Sequence, residues 1–252
     1  MVITVTGSTI MFYPKLIIAV VFLLTVLLFE NKLSAGESST YNFSWLDPDK
    51  EVYVLQNKKY RKDKKAHLSA GYGMTTNGAF VDATSLQGRV GFFFTEEWGM
   101  EFLYAQNSGE ENENFQSVLN IGGPGSTPFR RIVENYLGAM VLWSPFYAKV
   151  NTFNSIVYVD WMVGLGYGQL NEKNNREVVR TGTTGLADVK ESHNAIMWGT
   201  GLKFYLSPMF HIRLDLTAMH YSALRALTVK TSDDEGNYEN FDLTLALGIN
   251  LF

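Results

Sequence analysis

The sequence contains no cysteine, and only 6 of its 252 residues are proline. Without cysteine the chain has no disulfide bonds, no thiolate metal sites and no lipidated N-terminal cysteine. Its formal net charge of −4 is mild, which argues against nucleic acid as a partner. After residue 36 there is no apolar run long enough for a membrane-spanning helix. No residue pattern indicates a cofactor or a metal.

One apolar run does occur near the N-terminus, at residues 16–29 (LIIAVVFLLTVLLF). Lys15 precedes it and the small residues of 34–36 (SAG) follow it. The run is shorter than the roughly 20 residues of a membrane-spanning helix, and this order of charge, apolar run and small residues is typical of a secretory signal peptide. We expect residues 1–35 to be cleaved, with an uncleaved anchor as the alternative. Met11 is an alternative start.

The rest of the chain is rich in aromatic residues and glycine, which favours strands over helices. Apolar residues recur there with period two in segment after segment. The lengths of these segments suit tilted transmembrane strands, for which roughly 9 to 11 residues suffice. The segments lie at residues 67–74, 86–94, 98–105, 134–143, 157–168, 196–206, 210–217 and 243–251.

The connections between these segments alternate in length. Tight or moderate joins lie at 95–97, 144–153 and 207–209, and long polar connections lie at 107–130, 169–192 and 222–239. The first connection on the long-loop side, at 75–82, is modest in length. Short joins at one end and long ones at the other predict an all-β fold: an eight-stranded antiparallel up-and-down transmembrane β-barrel over residues 66–252, with its long loops outside the cell. Aromatic residues near the short joins fit a membrane interface at that end.

The two faces of each predicted strand distinguish a membrane barrel from a soluble one. In lipid the apolar phase must face outward, whereas a soluble lipocalin-like barrel points it inward. Here the opposite phase carries glycine together with charges of both signs, which suits a small, tightly filled interior. The residues expected to form interior ion pairs are Arg89, Glu101, Glu134, Asp160, Lys203, Arg213 and Asp215. An ion pathway is the alternative use of these charges.

Several stretches resemble the outer-membrane β-barrel domain proteins of myxobacteria, bdellovibrios and their relatives, which are similar in plan to other small eight-stranded outer-membrane barrels. The stretches are EVYVLQNKKYRK (51–62), WGMEF (98–102), ENYLGAMVLWSPFYAK (134–149), DWMVGLGYG (160–168) and SPMFHIRLDL (207–216). The resemblance implies location in the outer membrane, contact with its lipid and lipopolysaccharide, and assembly by the barrel-insertion machinery. It implies architecture more than activity. As a departure, Phe252 is out of phase with the apolar residues of 243–251.

One group of residues suggests catalysis. His220 and Ser222 are expected on the outward face near the outer end of the seventh strand, and Glu239 has the same phase on the eighth. A histidine, a serine and a carboxylate can form an acyl-transfer set. The stretch resembles the HYS element of outer-membrane lipid A deacylases, but Ala223 and Leu224 follow where those enzymes carry an oxyanion-stabilising asparagine.

A basic segment precedes the first predicted strand, within the region 36–65 that we expect in the periplasm. The positive charges of this segment favour contact with the cell wall or with anionic lipid headgroups. The alternative is that the segment is a solvated linker. Its basic residues are Lys58, Lys59, Arg61, Lys62, Lys64 and Lys65. Taken together, the sequence predicts a non-catalytic protein with a structural or surface-interaction role through its extracellular loops. A deacylase-like hydrolase and then a small channel are the alternatives.

Overall fold

The structure, a computed structural model, describes residues 40–41, 52–53, 58–76, 78–122, 127–152, 155–227 and 234–251. The chain divides into two compact units, Met1–Lys59 and Tyr60–Phe252. In the first unit, β1 (Thr40–Tyr41) pairs antiparallel with β2 (Val52–Tyr53). The expected signal peptide and the terminal Phe252 lie outside the described residues. Among the described residues, no helix has the length and apolar character needed to cross a membrane.

The second unit is a closed ring of eight antiparallel strands, as predicted from the sequence. Each strand pairs with the next in chain order, and β10 pairs with β3 to close the ring. Because the ring is closed, every strand has a partner on both sides. The strands are β3 (Lys65–Thr76), β4 (Val81–Phe93), β5 (Trp98–Glu111), β6 (Arg131–Thr152), β7 (Ser155–Asn174), β8 (Val189–Tyr205), β9 (Phe210–Leu224) and β10 (Glu235–Leu251).

The apolar phase of each strand faces outward, which confirms the predicted inversion of a membrane barrel. Tyr72, Leu165 and Leu245 are 61%, 63% and 60% exposed, whereas Gln87 and Glu101, on the opposite phase, are 2% and 0% exposed. A strand places successive side chains on opposite faces, so an apolar residue at every second position covers the outside with hydrocarbon. This surface is what a closed barrel must present to lipid.

Short connections lie at one end of the barrel, here called the turn end, and the long ones lie at the other, the loop end. The short connection between β3 and β4 also lies at the loop end. The predicted join at 144–153 is wrong: β6 runs on to Thr152, which pairs with Ser155 of β7. The strand passes through Pro145 because the ladder is irregular between Trp143 and Phe146. Proline has no N–H to donate to a ladder, and a bulge at this point tolerates it.

The loop end holds more regular structure than the polar sequence indicated. Two helices, Glu113–Ile121 and Arg176–Thr181, lie within the long connections. The first is capped by Asn112, whose side-chain oxygen accepts a hydrogen bond from the Phe115 N–H at 3.1 Å. The strands also continue into regions predicted as loops, for example in β7 as far as Asn174. Both faces of these extensions carry polar residues, so the period-two signal fades there.

The interior is filled by side chains, and a large part of it is apolar. Met140, Met162, Met197 and Met219 are all at most 2% exposed, and Leu103 is fully buried. Methionine suits irregular interior gaps because its unbranched side chain adapts its shape. These methionines lie on the inward phase, which was expected to hold glycine and charged residues. Their burial in the interior was not predicted from the sequence.

Candidate functional site

The polar part of the interior centres on Glu101 of β5. Its carboxylate accepts hydrogen bonds from Arg213 Nη1 at 2.6 Å and from Arg89 Nη1 at 2.9 Å. His67 Nε2 lies 3.0 Å from the same carboxylate, and Arg213 Nη2 also donates to Asp215 at 2.9 Å. All five side chains are buried. Each occupies the inward phase of its strand, and barrel closure brings β3, β4, β5 and β9 around one point.

The charges in this cluster balance, with two arginines facing Glu101 and Asp215. Charge-assisted hydrogen bonds of this kind hold the guanidinium and carboxylate planes in fixed positions. A cavity beside the cluster has a volume of about 10 Å³, which is close to the room one water molecule needs. The arrangement can cross-link strands across the lumen.

Asp160 has a different partner from those expected. Lys62 Nζ lies 2.8 Å from its carboxylate and donates to Ser144 Oγ at 2.5 Å. The Tyr205 hydroxyl donates to the same carboxylate at 2.6 Å. The interpretation of Lys62 as a cell-wall contact is therefore wrong, because the chain before β3 turns into the turn end and buries this side chain. Sequence phase is defined only inside a strand and does not reach residue 62.

Glu134 is not an interior residue. Its side chain is 26% exposed and lies 3.2 Å from Lys190 Nζ, on the outer side of the ladder. The reason is a register shift in β6 between Val133 and Asn135, which moves Glu134 off the inward phase. Lys203 is buried as expected, but it donates to Asn250 Oδ1 at 2.7 Å rather than to a carboxylate.

A second buried polar cluster, which was not predicted from the sequence, is centred on Asp242 of β10. Gln87 Nε2 and Asn240 Nδ2 donate to its two carboxylate oxygens, each at 2.9 Å. The Tyr136 hydroxyl also donates to Asp242, and Thr75 donates to Asn240 at 3.0 Å. A usable signal existed, because Asp242 precedes Leu243 and so occupies the inward phase of the last segment.

Glu172, Glu191 and His193 form a third cluster, near the loop end. Their ligand atoms all lie within 4.8 Å of one another, which is close enough for a metal ion. Arginines already neutralise both carboxylates: Arg131 Nη1 lies 2.5 Å from Glu172, and Arg176 Nη1 lies 2.7 Å from Glu191. A cation would have to displace these partners, so the group acts as an ion-pair cluster.

The proposed acyl-transfer set does not form a proton relay. His220 Nδ1 lies 3.4 Å from Glu239, but His220 Nε2 accepts a hydrogen bond from the Trp198 indole N–H at 2.8 Å. The Ser222 hydroxyl donates instead to Asn237 Oδ1 at 3.0 Å, its cross-strand neighbour. A serine nucleophile needs an imidazole nitrogen able to accept its proton, and here the indole occupies that nitrogen.

The sequence profile of the family described as "Outer membrane protein beta-barrel domain" matches residues 51–250. No curated protein matches the sequence.

Solved structures with a similar fold include the N-terminal β-barrel domain of Pseudomonas aeruginosa OprF, at 15% identity and a TM-score of 0.43 over 75% of this chain and 98% of that one. OprG from Pseudomonas aeruginosa is 10% identical, with a TM-score of 0.44 over 77% and 99% of the two chains. Neisserial surface protein A is 11% identical, with a TM-score of 0.43 over 73% and 95%.

Proposed function

Because the chain belongs to the outer membrane protein β-barrel domain family, we propose that it is a non-catalytic barrel with a structural or surface-interaction role, carried by its loop end. Membership of this family locates the protein in the outer membrane. In this proposal the loop end faces the outside of the cell and the turn end faces the periplasm, as is usual for barrels with long loops at one end.

The observation that carries the proposal is the way the long connections are tied together. Arg130 Nε lies 2.6 Å from Glu111 at the end of β5, and Arg130 Nη2 donates to both carboxylate oxygens of Asp188 at 3.0 Å. Asn175 accepts from the Arg130 N–H at 2.8 Å and donates to the Pro128 carbonyl at 2.9 Å. Two separate connections thus form one ordered surface, and an ordered surface binds with less entropic cost.

The filled interior supports a role outside transport. Buried ion pairs around Glu101 and Asp160 occupy the interior of the barrel. An eight-stranded barrel has an interior that side chains can fill completely, in contrast to the aqueous channel of larger porins.

The remaining parts of the proposal concern export and contacts. Residues 1–35 act as a cleaved signal peptide, residues 36–65 lie in the periplasm, and the barrel-insertion machinery assembles the rest. The outer surface contacts lipid and lipopolysaccharide. Lys58, Lys59, Arg61, Lys64 and Lys65 remain candidates for contact with the cell wall, whereas Lys62 does not.

A deletion strain tests the proposed role. It is complemented with the wild-type chain, with a His220→Ala/Ser222→Ala double variant, or with a chain in which a Gly-Ser linker replaces residues 113–127. Cell-surface adhesion and detergent sensitivity are then measured. We expect the double variant to restore both properties fully and the linker variant to fail in adhesion.

Two further measurements separate the alternatives. Mass spectrometry of lipid A should show the same acylation with and without the protein, and purified barrel in planar bilayers should show no conductance steps. Loss of an acyl chain that depends on Ser222 would instead establish the hydrolase, and stable conductance steps would establish the channel.

A further inference from the structure

A cavity of about 250 Å³ lies at the loop end of the barrel. Three parts of the chain enclose it: the β3–β4 turn at 78–81, the entry to β6 at 129–131, and the outer ends of β9 and β10. Its rim includes exposed residues such as Ala79 and Glu239, so it opens to the surface. The cavity is smaller than the roughly 300 to 1,000 Å³ of sites for drug-sized ligands. It therefore fits a ligand of about one ring.

Four of the ten residues that line this cavity are aromatic. Phe80, Phe129, Tyr221 and Tyr238 line it, and the Arg131 guanidinium carbon lies 3.9 Å from the centroid of the Tyr238 ring. Flat aromatic faces carry partial negative charge, so they attract C–H groups and cations laid against them. A saturated ring with polarised C–H bonds can pack against these faces, as an aromatic ring can.

Arg131 supplies a fixed hydrogen-bond donor to the cavity. Its side chain is 5% exposed, and the guanidinium is held by Glu172 at 2.5 Å and by the Leu224 carbonyl at 2.9 Å. Arg131 lines the cavity, and each of its two terminal nitrogens carries a second N–H besides the one that these partners accept. These N–H groups can donate to an oxygen atom in the cavity.

The charge around the cavity decides the class of ligand. Its two guanidinium groups are outnumbered by carboxylates, because Arg130 pairs with Glu111 and Asp188, Arg131 pairs with Glu172, and Glu239 lies on the rim. This balance repels sulfated, phosphorylated or carboxylated ligands. It suits neutral hydroxyl groups, which accept from arginine and donate to a carboxylate.

We propose that this cavity binds a single neutral hexose ring, the terminal sugar of a cell-surface glycan. The ring stacks on Phe129 or Tyr238, and one hydroxyl oxygen accepts a hydrogen bond from Arg131. The inference rests on the proposed surface role, because the loop end must face outside the cell for the cavity to meet such a glycan. Two sources share this chemistry: the bacterium's own lipopolysaccharide and the glycans of another cell.

The test uses the full barrel, isotope-labelled and embedded in nanodiscs. Methyl α-glucoside, methyl β-galactoside and methyl α-mannoside are titrated while the amide resonances of Gly78, Arg131 and Tyr238 are followed by NMR. Glucose 6-phosphate and methyl glucuronide serve as anionic comparators. We expect saturable shifts for at least one neutral sugar, and binding at least tenfold weaker for its anionic counterpart.

Matched variants locate the site. Phe129→Ala should weaken binding by about tenfold, the loss of one aromatic stacking contact, whereas Phe146→Ala at the turn end should leave binding unchanged. Folding of every variant is checked by its heat-dependent shift in gel mobility.

The outcomes separate the possibilities. Absence of saturable shifts with all neutral sugars, or equal binding of the anionic comparators, overturns the proposal. Adhesion that depends on residues 113–127 while no sugar binds would leave the surface role intact and remove only the sugar site. In a final arm, oligosaccharide released from the bacterium's own lipopolysaccharide is compared with lactose- and mannose-terminated oligosaccharides, and the tighter ligand identifies the source.

Discussion

Lys62 Nζ lies 2.8 Å from the carboxylate of Asp160, and the two side chains are 3% and 0% exposed. This ion pair joins the chain before the first barrel strand to the inward face of β7. The Tyr60 ring stacks on Tyr205 with centroids 4.8 Å apart, and Tyr205 itself donates to Asp160. The segment from residue 60 onward is therefore part of the barrel's packed interior.

The first prediction concerns this pair. Lys62→Met leaves the Asp160 carboxylate buried without its cation, and we expect a loss of about 3–5 kcal/mol in the free energy of unfolding. The measurement is urea-induced unfolding in lipid vesicles, followed by tryptophan fluorescence. The double variant Lys62→Met/Asp160→Asn should recover most of the loss. The exposed neighbour Arg61 gives the control, and Arg61→Met should change stability by less than about 0.5 kcal/mol.

The second prediction concerns Glu101, which accepts hydrogen bonds from both Arg89 and Arg213. Glu101→Gln keeps the shape but leaves two buried guanidinium groups facing only Asp215. We expect destabilisation of about 3–5 kcal/mol by the same vesicle assay. Glu97→Gln, in the exposed β4–β5 turn, is the matched control and should be nearly neutral. Equal effects of the two substitutions would show that the interior cluster does not stabilise the barrel.

The third prediction compares two strand glycines. A Cβ at Gly168 would lie 2.6 Å from Met197 Sδ and 2.7 Å from the Leu137 carbonyl oxygen, whereas a Cβ at Gly88 meets no atom within 4 Å. Gly168→Ala should therefore destabilise the barrel by about 1–3 kcal/mol through overpacking. Gly88→Ala faces lipid and should be neutral or slightly stabilising, since it reduces the freedom of the unfolded chain. A reversed order would contradict the packing described for the interior.

The fourth prediction tests the outward face in lipid. Leu245 is 60% exposed near the middle of β10, and Leu245→Arg should cost about 2–4 kcal/mol, as a cation does near the midplane of a bilayer. Leu186, 43% exposed in the connection between β7 and β8, provides the control. Leu186→Arg should have little effect. The two variants are compared by their urea-dependent folding into vesicles, and similar costs at both sites would mean that Leu245 does not face hydrocarbon.

Most of the fold followed from one local property of the chain. Alternation of apolar and polar residues identified all eight barrel strands and their outward faces, including the last strand with Leu243, Leu245 and Leu247. The same rule failed at Glu134, because a register shift in β6 reverses the phase and nothing in the local sequence marks it. It also failed at residues 144–153, which were predicted as a join although β6 continues through Pro145 to Thr152.

The ion-pair and hydrogen-bond partners of individual side chains were harder to predict than the face of the strand on which each side chain lies. Arg213 reaches Glu101 across 112 residues of chain, and Asp160 pairs with Lys62 rather than with an inward cation of another strand. His220 and Ser222 share a face as expected, yet Trp198 and Asn237 take up their hydrogen-bonding groups. Such choices depend on how far neighbouring strands are shifted along one another around the ring, and that shift arises only when β10 meets β3.

The amino-acid order alone determined that this protein is a strand-built barrel with hydrocarbon outside and polar groups within, because side-chain direction alternates along any extended chain. Only the tertiary structure decided which buried charges meet, that Lys62 enters the barrel, and that a cavity lined by aromatic residues and Arg131 forms at the loop end. Those features bring together atoms from distant strands, and their distances are set by closure of the ring.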